Sequence, residues 1–212
     1  LEFQPAKNGT IVDANQLSQE IISAINSLES SDQKTLTKEI SYQTLPPQIN
    51  NNDVNDLGIK ELLGSGTSTF KHSSSTRNIN ISKGASIVNR ILVAPNETFS
   101  FVKSLGEVTL EAGYAKAYII RQGKTELDVG GGICQVSTTL FRAMLNAGLD
   151  ITERKAHAYR VSYYEEDSKP GFDATVFIPS PDLKFTNDTG HYVLIQCVLD
   201  MDNRRLTYET YG

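Results

Sequence analysis

Apolar residues recur through Ala14–Leu28 at Leu17, Ile21, Ile22, Ile25 and Leu28, the spacing of an amphipathic helix that starts near Asp13. Leu36–Leu45 alternates instead, with Ile40, Tyr42 and Thr44 set against Glu39, Ser41 and Gln43, which predicts a strand. Pro46-Pro47 and the run Asn50-Asn51-Asn52-Asp53 then read as loop. One helix and one strand cannot bury each other, so residues 1–55 read as the tail of an upstream domain or a lid on the next, with a boundary near residue 55. Residues 56–212 read as one continuous domain. Within it, Ile79, Ile81, Ala85, Ile87, Val88 and Ile91 give mostly helical spacing over Arg77–Arg90, and Pro95 bars its continuation. Thr98–Phe101 reads as a short strand, and Ala115–Ile120 with Thr125–Val129 as a hairpin across Gly123. Gln135–Ala147 carries Val136, Leu140, Phe141, Met144 and Leu145 on one side, with Gly148 as its stop. Strand patterns follow at Ile151–Tyr164, Ala174–Ile178 and Leu183–Thr186, then a hairpin of Tyr192–Leu199 with Arg204–Tyr211. Helices early and antiparallel strands late predict an α+β fold, its helix after Cys134 packed on a largely antiparallel sheet, with a small helix–strand segment at the N-terminus.

Composition narrows the function. The net charge of −5 and pI near 5.3 argue against a phosphate-backbone binder, so no nucleic-acid partner is expected. No apolar run approaches the ~18 residues of a membrane span. The chain opens at Leu1 without a basic-then-apolar leader and reads as a piece of a longer protein, with any membrane anchor or export signal upstream. Two cysteines, Cys134 and Cys197, are too few for a disulfide framework or a four-thiolate zinc site. Cys197 lies in the run Val193–Leu199 and reads as a small core hydrophobe.

Cys134 stands where a strand turns through Gly130-Gly131-Gly132 into a helix. Glycines let a substrate approach the backbone closely. The unpaired N–H groups and positive dipole of a first helical turn favour the thiolate and can hold an oxyanion. The turn lacks the G-x-G-x-x-G pattern and the lysine of a phosphate loop. A thiol nucleophile needs a base. His72 lies in a polar loop, and His191 opens a late strand. His157, flanked by Ala156 and Ala158, follows the helix closely enough to lie beside its start; it is the favoured base, with His191 in reserve. Asp173 and Asp128 are the candidates to orient the imidazole. Cys134 and three scattered histidines lack the spacing of a zinc site, and no metal or cofactor is expected.

From Leu57 to Gly212 these residues resemble the VanW domain family. The most specific stretch is Val129-Gly130-Gly131-Gly132-Ile133-Cys134-Gln135-Val136-Ser137-Thr138-Thr139-Leu140, supported by Gly148–Arg154, His157, Tyr159, Ser162-Tyr163, Gly171–Val176 and Pro181–Phe185. In that family the preceding segment often resembles a peptidoglycan-binding module, and residues 1–55 look like the end of one. Some clostridial members act as L,D-transpeptidases. The resemblance therefore implies cysteine-dependent acyl transfer on peptidoglycan stem peptides, at the outer face of a Gram-positive cell membrane or in its wall. Cys134, His157 and Asp173 would be the catalytic residues. Gly131, Gly132, Gln135 and Ser137 would line the oxyanion and substrate site, and Arg121 would bind a stem carboxylate. Family members commonly carry a His-x-His pair where this chain has Lys155-Ala156-His157, so only the second histidine is matched. The alternatives are a non-catalytic wall-binding module and a cysteine peptidase or amidase acting on peptidoglycan.

Overall fold

The computed structural model describes residues 7–31, 35–47, 56–121 and 124–212, without the side chains at 120–124. The chain divides into two units, 5–54 and 55–212. In the first, strand β1 (Gly9–Ile11) pairs antiparallel with β2 (Gln43–Leu45), and helix α1 (Ala14–Glu29) lies between them in sequence. The Asp13 carboxylate caps α1 by accepting from the Asn15 and Gln16 amides at 2.9 and 3.0 Å. The expected ten-residue strand is cut to three because β1 offers only three partners. No residue of α1 is buried.

The second unit is built on a four-stranded antiparallel sheet, ordered β3-β11-β10-β4, from β3 (Leu62–Thr69), β4 (Ile91–Val93), β10 (Val193–Asp200) and β11 (Arg205–Tyr211). Period-two burial is clean in β11: Leu206, Tyr208 and Thr210 are inside, and their neighbours are not. A second sheet, β5-β9-β8, combines Thr98–Ser100, Lys184–Thr186 and Asp150–Glu153, and β6 (Lys116–Arg121) with β7 (Lys124–Val129) forms a separate hairpin. Helix α2 (Ser75–Ile87) and the short α3 (Phe101–Leu105) join them, and α4 (Ile133–Asn146) runs through the core. Among the described residues no helix is long and apolar enough to cross a membrane. The fold is α+β.

Two glycines set how α4 meets the sheet. A Cβ on Gly66 would lie 2.5 Å from the Ala143 nitrogen and the Thr139 oxygen, and one on Gly64 would lie 2.3 Å from the Ala147 nitrogen. The helix backbone therefore rests directly on β3, an approach only glycine allows. This glycine-, serine- and threonine-rich strand has no apolar alternation, which is why the sequence pattern did not predict it. Gln135, Arg142 and Asn146 of α4 donate to the carbonyls of Thr69, Thr67 and Ser65 at 2.6, 2.8 and 2.7 Å. Those carbonyls lie on the β3 edge turned away from β11. Eleven of the fourteen α4 residues are buried, so the helix is enclosed rather than one-sided, while Leu145, expected on its apolar face, is 39% exposed.

Two further expectations change. Ile79 of α2 is exposed, and buried Asn78 and Asn80 stand on its inner side. The strand expected over Ile151–Tyr164 stops at Glu153, and that over Ala174–Ile178 shrinks to one bridge between Thr175 and Lys155. Side chains replace the ladder there. The buried Arg142 guanidinium donates to the carbonyls of Thr67, Tyr164 and Phe172 at 2.5–2.9 Å, and so anchors the irregular 160–173 segment to α4.

Candidate active site

The candidate site begins where β7 ends. Gly130 and Gly132 take positive φ angles of 90° and 112°, and Gly132 is the N-cap of α4 with no side chain capping it. Buried Asn80 fixes this turn from α2. Its amide donates to the carbonyls of Ala115 and Gly131, both at 2.9 Å, and its oxygen accepts from the Ala115 amide at 2.7 Å. Cys134 follows in the first turn, between the Ile133 and Gln135 amides, which donate to the Gly130 and Gly132 carbonyls. At that position the helix dipole favours a negative sulfur.

Cys134 is half-buried and free of any disulfide. Its Sγ lies 3.6 Å from the Thr175 hydroxyl and 3.5 Å from the Val176 carbonyl, and His157 stands near enough for its side chain to act on the charge of the thiol. The His157 Nδ1 lies 2.5 Å from Asp173 Oδ2, which also accepts from the His157 main-chain amide at 2.8 Å. Nδ1 being held this way, Nε2 is the ring nitrogen that Asp173 leaves available. The second oxygen of Asp173 lies 3.6 Å from Arg154 Nη2, while Arg154 Nε donates to the Asp173 carbonyl at 2.7 Å. Tyr164 covers the imidazole, with ring centroids 5.5 Å apart.

These neighbours decide the charge. Burial alone would push the Cys134 thiol up, but the hydrogen bond and charge of His157, with the contacts of Val176 and Thr175, bring it below its usual range. Burial would likewise lower His157, yet Cys134 and then Asp173 raise it. The pair thus favours a thiolate beside an imidazolium, with Asp173 fixing the ring. Such a group can attack a carbonyl carbon, give a proton to a departing amine, and present first-turn N–H groups to an oxyanion.

The structure brings Cys134, His157 and Asp173 together. His157 sits in an irregular segment rather than at the start of a strand. Lys155, two residues before it, accepts from the Thr175 amide at 2.8 Å through its carbonyl, a main-chain contact that does not depend on the side chain. Gly131 and Gly132 form the turn as expected. Gln135 and Ser137 do not line the site. Gln135 is fully buried and donates to Ser68 and Thr69, because its position faces β3. Ser137 is buried and donates to the Ala174 carbonyl at 2.7 Å, so with Thr138 it ties the segment after Asp173 to α4. Asp128 stays in the hairpin opposite Ala117, and its carboxylate accepts from the Val129 amide. His191 is exposed in the turn before β10, its ring against Gly58, and His72 is exposed in the turn before α2. The Arg121 side chain lies outside the described residues. Tyr164, Arg154 and Asn80 were missed. Tyr164 and Arg154 sit in the segment read as regular strand, and Asn80 was hidden by its apolar neighbours Ile79 and Ile81.

Among the described residues no group of three or more His, Cys, Asp or Glu could hold a metal ion. What the fold and the site define is an α+β protein with a Cys–His–Asp constellation at a glycine-rich helix start. Residues 76–211 match the family described as VanW like protein, and the chain belongs to that family. It is 38% identical over 158 residues to the uncharacterized protein YoaR of Bacillus subtilis (strain 168), covering 74% of this chain and 50% of YoaR. It is 34% identical over 124 residues to the vancomycin B-type resistance protein VanW of Enterococcus faecalis (strain ATCC 700802 / V583), covering 57% of this chain and 44% of that protein. The matches thus span about half the length of these curated relatives. No solved structure matches.

Proposed function

We propose that this chain is a cysteine acyltransferase of the cell wall that cross-links peptidoglycan stem peptides as an L,D-transpeptidase. The observation that carries the reading is the grouping of Cys134, in the first turn of a helix, with His157 and the hydrogen bond of His157 to Asp173. The Cys134 thiolate attacks the carbonyl carbon at the third residue of a donor stem, and the oxygen takes the electron pair. The N–H groups of Cys134 and the glycine turn hold that oxyanion. As the carbonyl re-forms, the bond to the terminal D-alanine breaks, and the imidazolium of His157 protonates the departing amine. The product is a thioester on Cys134. An acceptor amine, deprotonated by neutral His157, then attacks the thioester and expels the thiolate, which completes the cross-link and restores the starting state. Water in place of the amine gives a carboxypeptidase side reaction.

Membership of a family that includes a vancomycin-resistance protein agrees with this setting. The site would then work outside the membrane, on peptidoglycan, with residues 1–55 serving as the end of a peptidoglycan-binding module. Purified muropeptides with tetrapeptide stems test the reaction. The chain should give dimers lighter by one D-alanine, and a covalent adduct on Cys134 by intact mass; Cys134→Ala should give neither. Dimers from Cys134→Ala, or fragments alone from the unaltered chain, would sink the transpeptidase assignment.

A further inference from the structure

Among the described residues, four arginines stand near the site, and three are committed to the protein. Arg142 donates to three carbonyls, Arg154 holds Asp173 and Gly171, and Arg160 pairs with Glu165. Arg77, in the first turn of α2, differs. It donates to the Ser73 hydroxyl and stacks on the Tyr163 ring, its Cζ 5.2 Å from the centroid, and among the described residues no carboxylate pairs with it. Stacking on an aromatic face leaves the N–H edge of a guanidinium open to a planar, two-pronged partner.

Its position ties it to the thiol. A Cβ on Gly132, two residues before Cys134, would lie 3.1 Å from Arg77 Cγ and 3.2 Å from the Arg77 carbonyl oxygen. Tyr163, beneath the guanidinium, meets Tyr164 edge-on at 4.6 Å, and Tyr164 in turn covers His157. Burial pushes the Tyr164 hydroxyl well up, with Tyr163 and Cys134 adding to the shift and Arg77 opposing it, so thiol and guanidinium both act on one ring. Arg77 thus brings a positive charge, unpaired among the described residues, beside the glycine turn that leads into Cys134.

We infer that Arg77 binds the terminal carboxylate of the donor peptide, the one on the residue that leaves. The choice of ligand rests on the acyl-transfer reading. It makes the site a reader of peptide ends: the guanidinium holds the free carboxylate one residue beyond the scissile carbonyl, and a chain continuing past that point finds its charge missing.

Binding can be tested without turnover, in the Cys134→Ala form of the full chain, by titrating a tetrapeptide stem ending in D-alanine and the same peptide as its C-terminal amide. The acid should bind about 10- to 100-fold more tightly than the amide, the range of a charge-assisted hydrogen-bonded pair. Adding Arg77→Gln should remove that preference by weakening the acid alone, and Arg77→Lys, which keeps the charge without the fork, should restore part of it. Equal affinity for acid and amide would overturn the assignment, as would no binding of the acid. A loss on Arg77→Gln shared by both peptides would place the recognised carboxylate elsewhere on the stem and overturn it too. Acid-selective binding with no adduct on Cys134 in the unaltered chain would leave the Arg77 site standing and sink acyl transfer instead.

Discussion

The two thiols of this chain occupy opposite environments. Cys134 opens a helix, faces an imidazole, and is drawn below the ordinary thiol range. Cys197 sits in the middle of β10, opposite Tyr208, where burial pushes it up to about 12 against a weaker downward pull from the Tyr208 hydroxyl. Both are half-buried, so exposure does not separate them. What separates them is the company each keeps: a positive neighbour and a helix dipole for one, apolar strands for the other.

The largest effect should come from removing the first thiol. With a thiol-reactive probe at pH 6, the folded chain should label at Cys134 and leave Cys197 untouched, and Cys134→Ala should abolish labelling, read by peptide mass mapping. Equal, slow labelling of both would erase the contrast. Next in size, His157→Ala should cut the Cys134 labelling rate at pH 6 by about a hundredfold or more, since each unit by which the thiol rises costs tenfold in thiolate. The sign follows from the shifts. Cys134 is lowered, so its thiolate is lost as pH falls through its folded-state value. His157 is raised, so its proton is lost only as pH climbs past its own. Any Cys134-dependent turnover should therefore be bell-shaped in pH, and His157→Ala should move the acid limb of labelling upward. Asp173→Asn should cost less in labelling, about tenfold, because it loosens the ring without removing it, with a larger loss in turnover. The smallest change is expected from Cys197→Ala: labelling at Cys134 unaltered, and stability lower by about 1 kcal/mol in urea unfolding. A slower Cys134 in that variant would mean the two regions communicate.

The grouping of Cys134 with His157 was legible because it depends on local chemistry. A cysteine after three glycines and before an amphipathic run defines a helix start, and a histidine between two alanines invites a partner. Asp173 could not be told from Asp128 in sequence. The choice is made by Arg154 and by the His157 amide, neither of which leaves a periodic signal. Gln135 and Ser137 were misplaced for a related reason: their neighbourhood to Cys134 suggested the site, whereas a helix turns about 100° per residue and aims them at β3 and Ala174. The stretch 154–164 misled because its order comes from side chains holding main-chain groups, not from strand alternation.

The three carbonyl caps from Gln135, Arg142 and Asn146 have a mechanical consequence. They stand at intervals of seven and four residues along α4, and each meets an alternate residue of one strand. A helix sliding by a single turn, about 5.4 Å, would break all three at once. The rod that carries the sulfur is thereby indexed against the sheet like a toothed rack, and the same teeth deny that border to a strand from a neighbouring molecule.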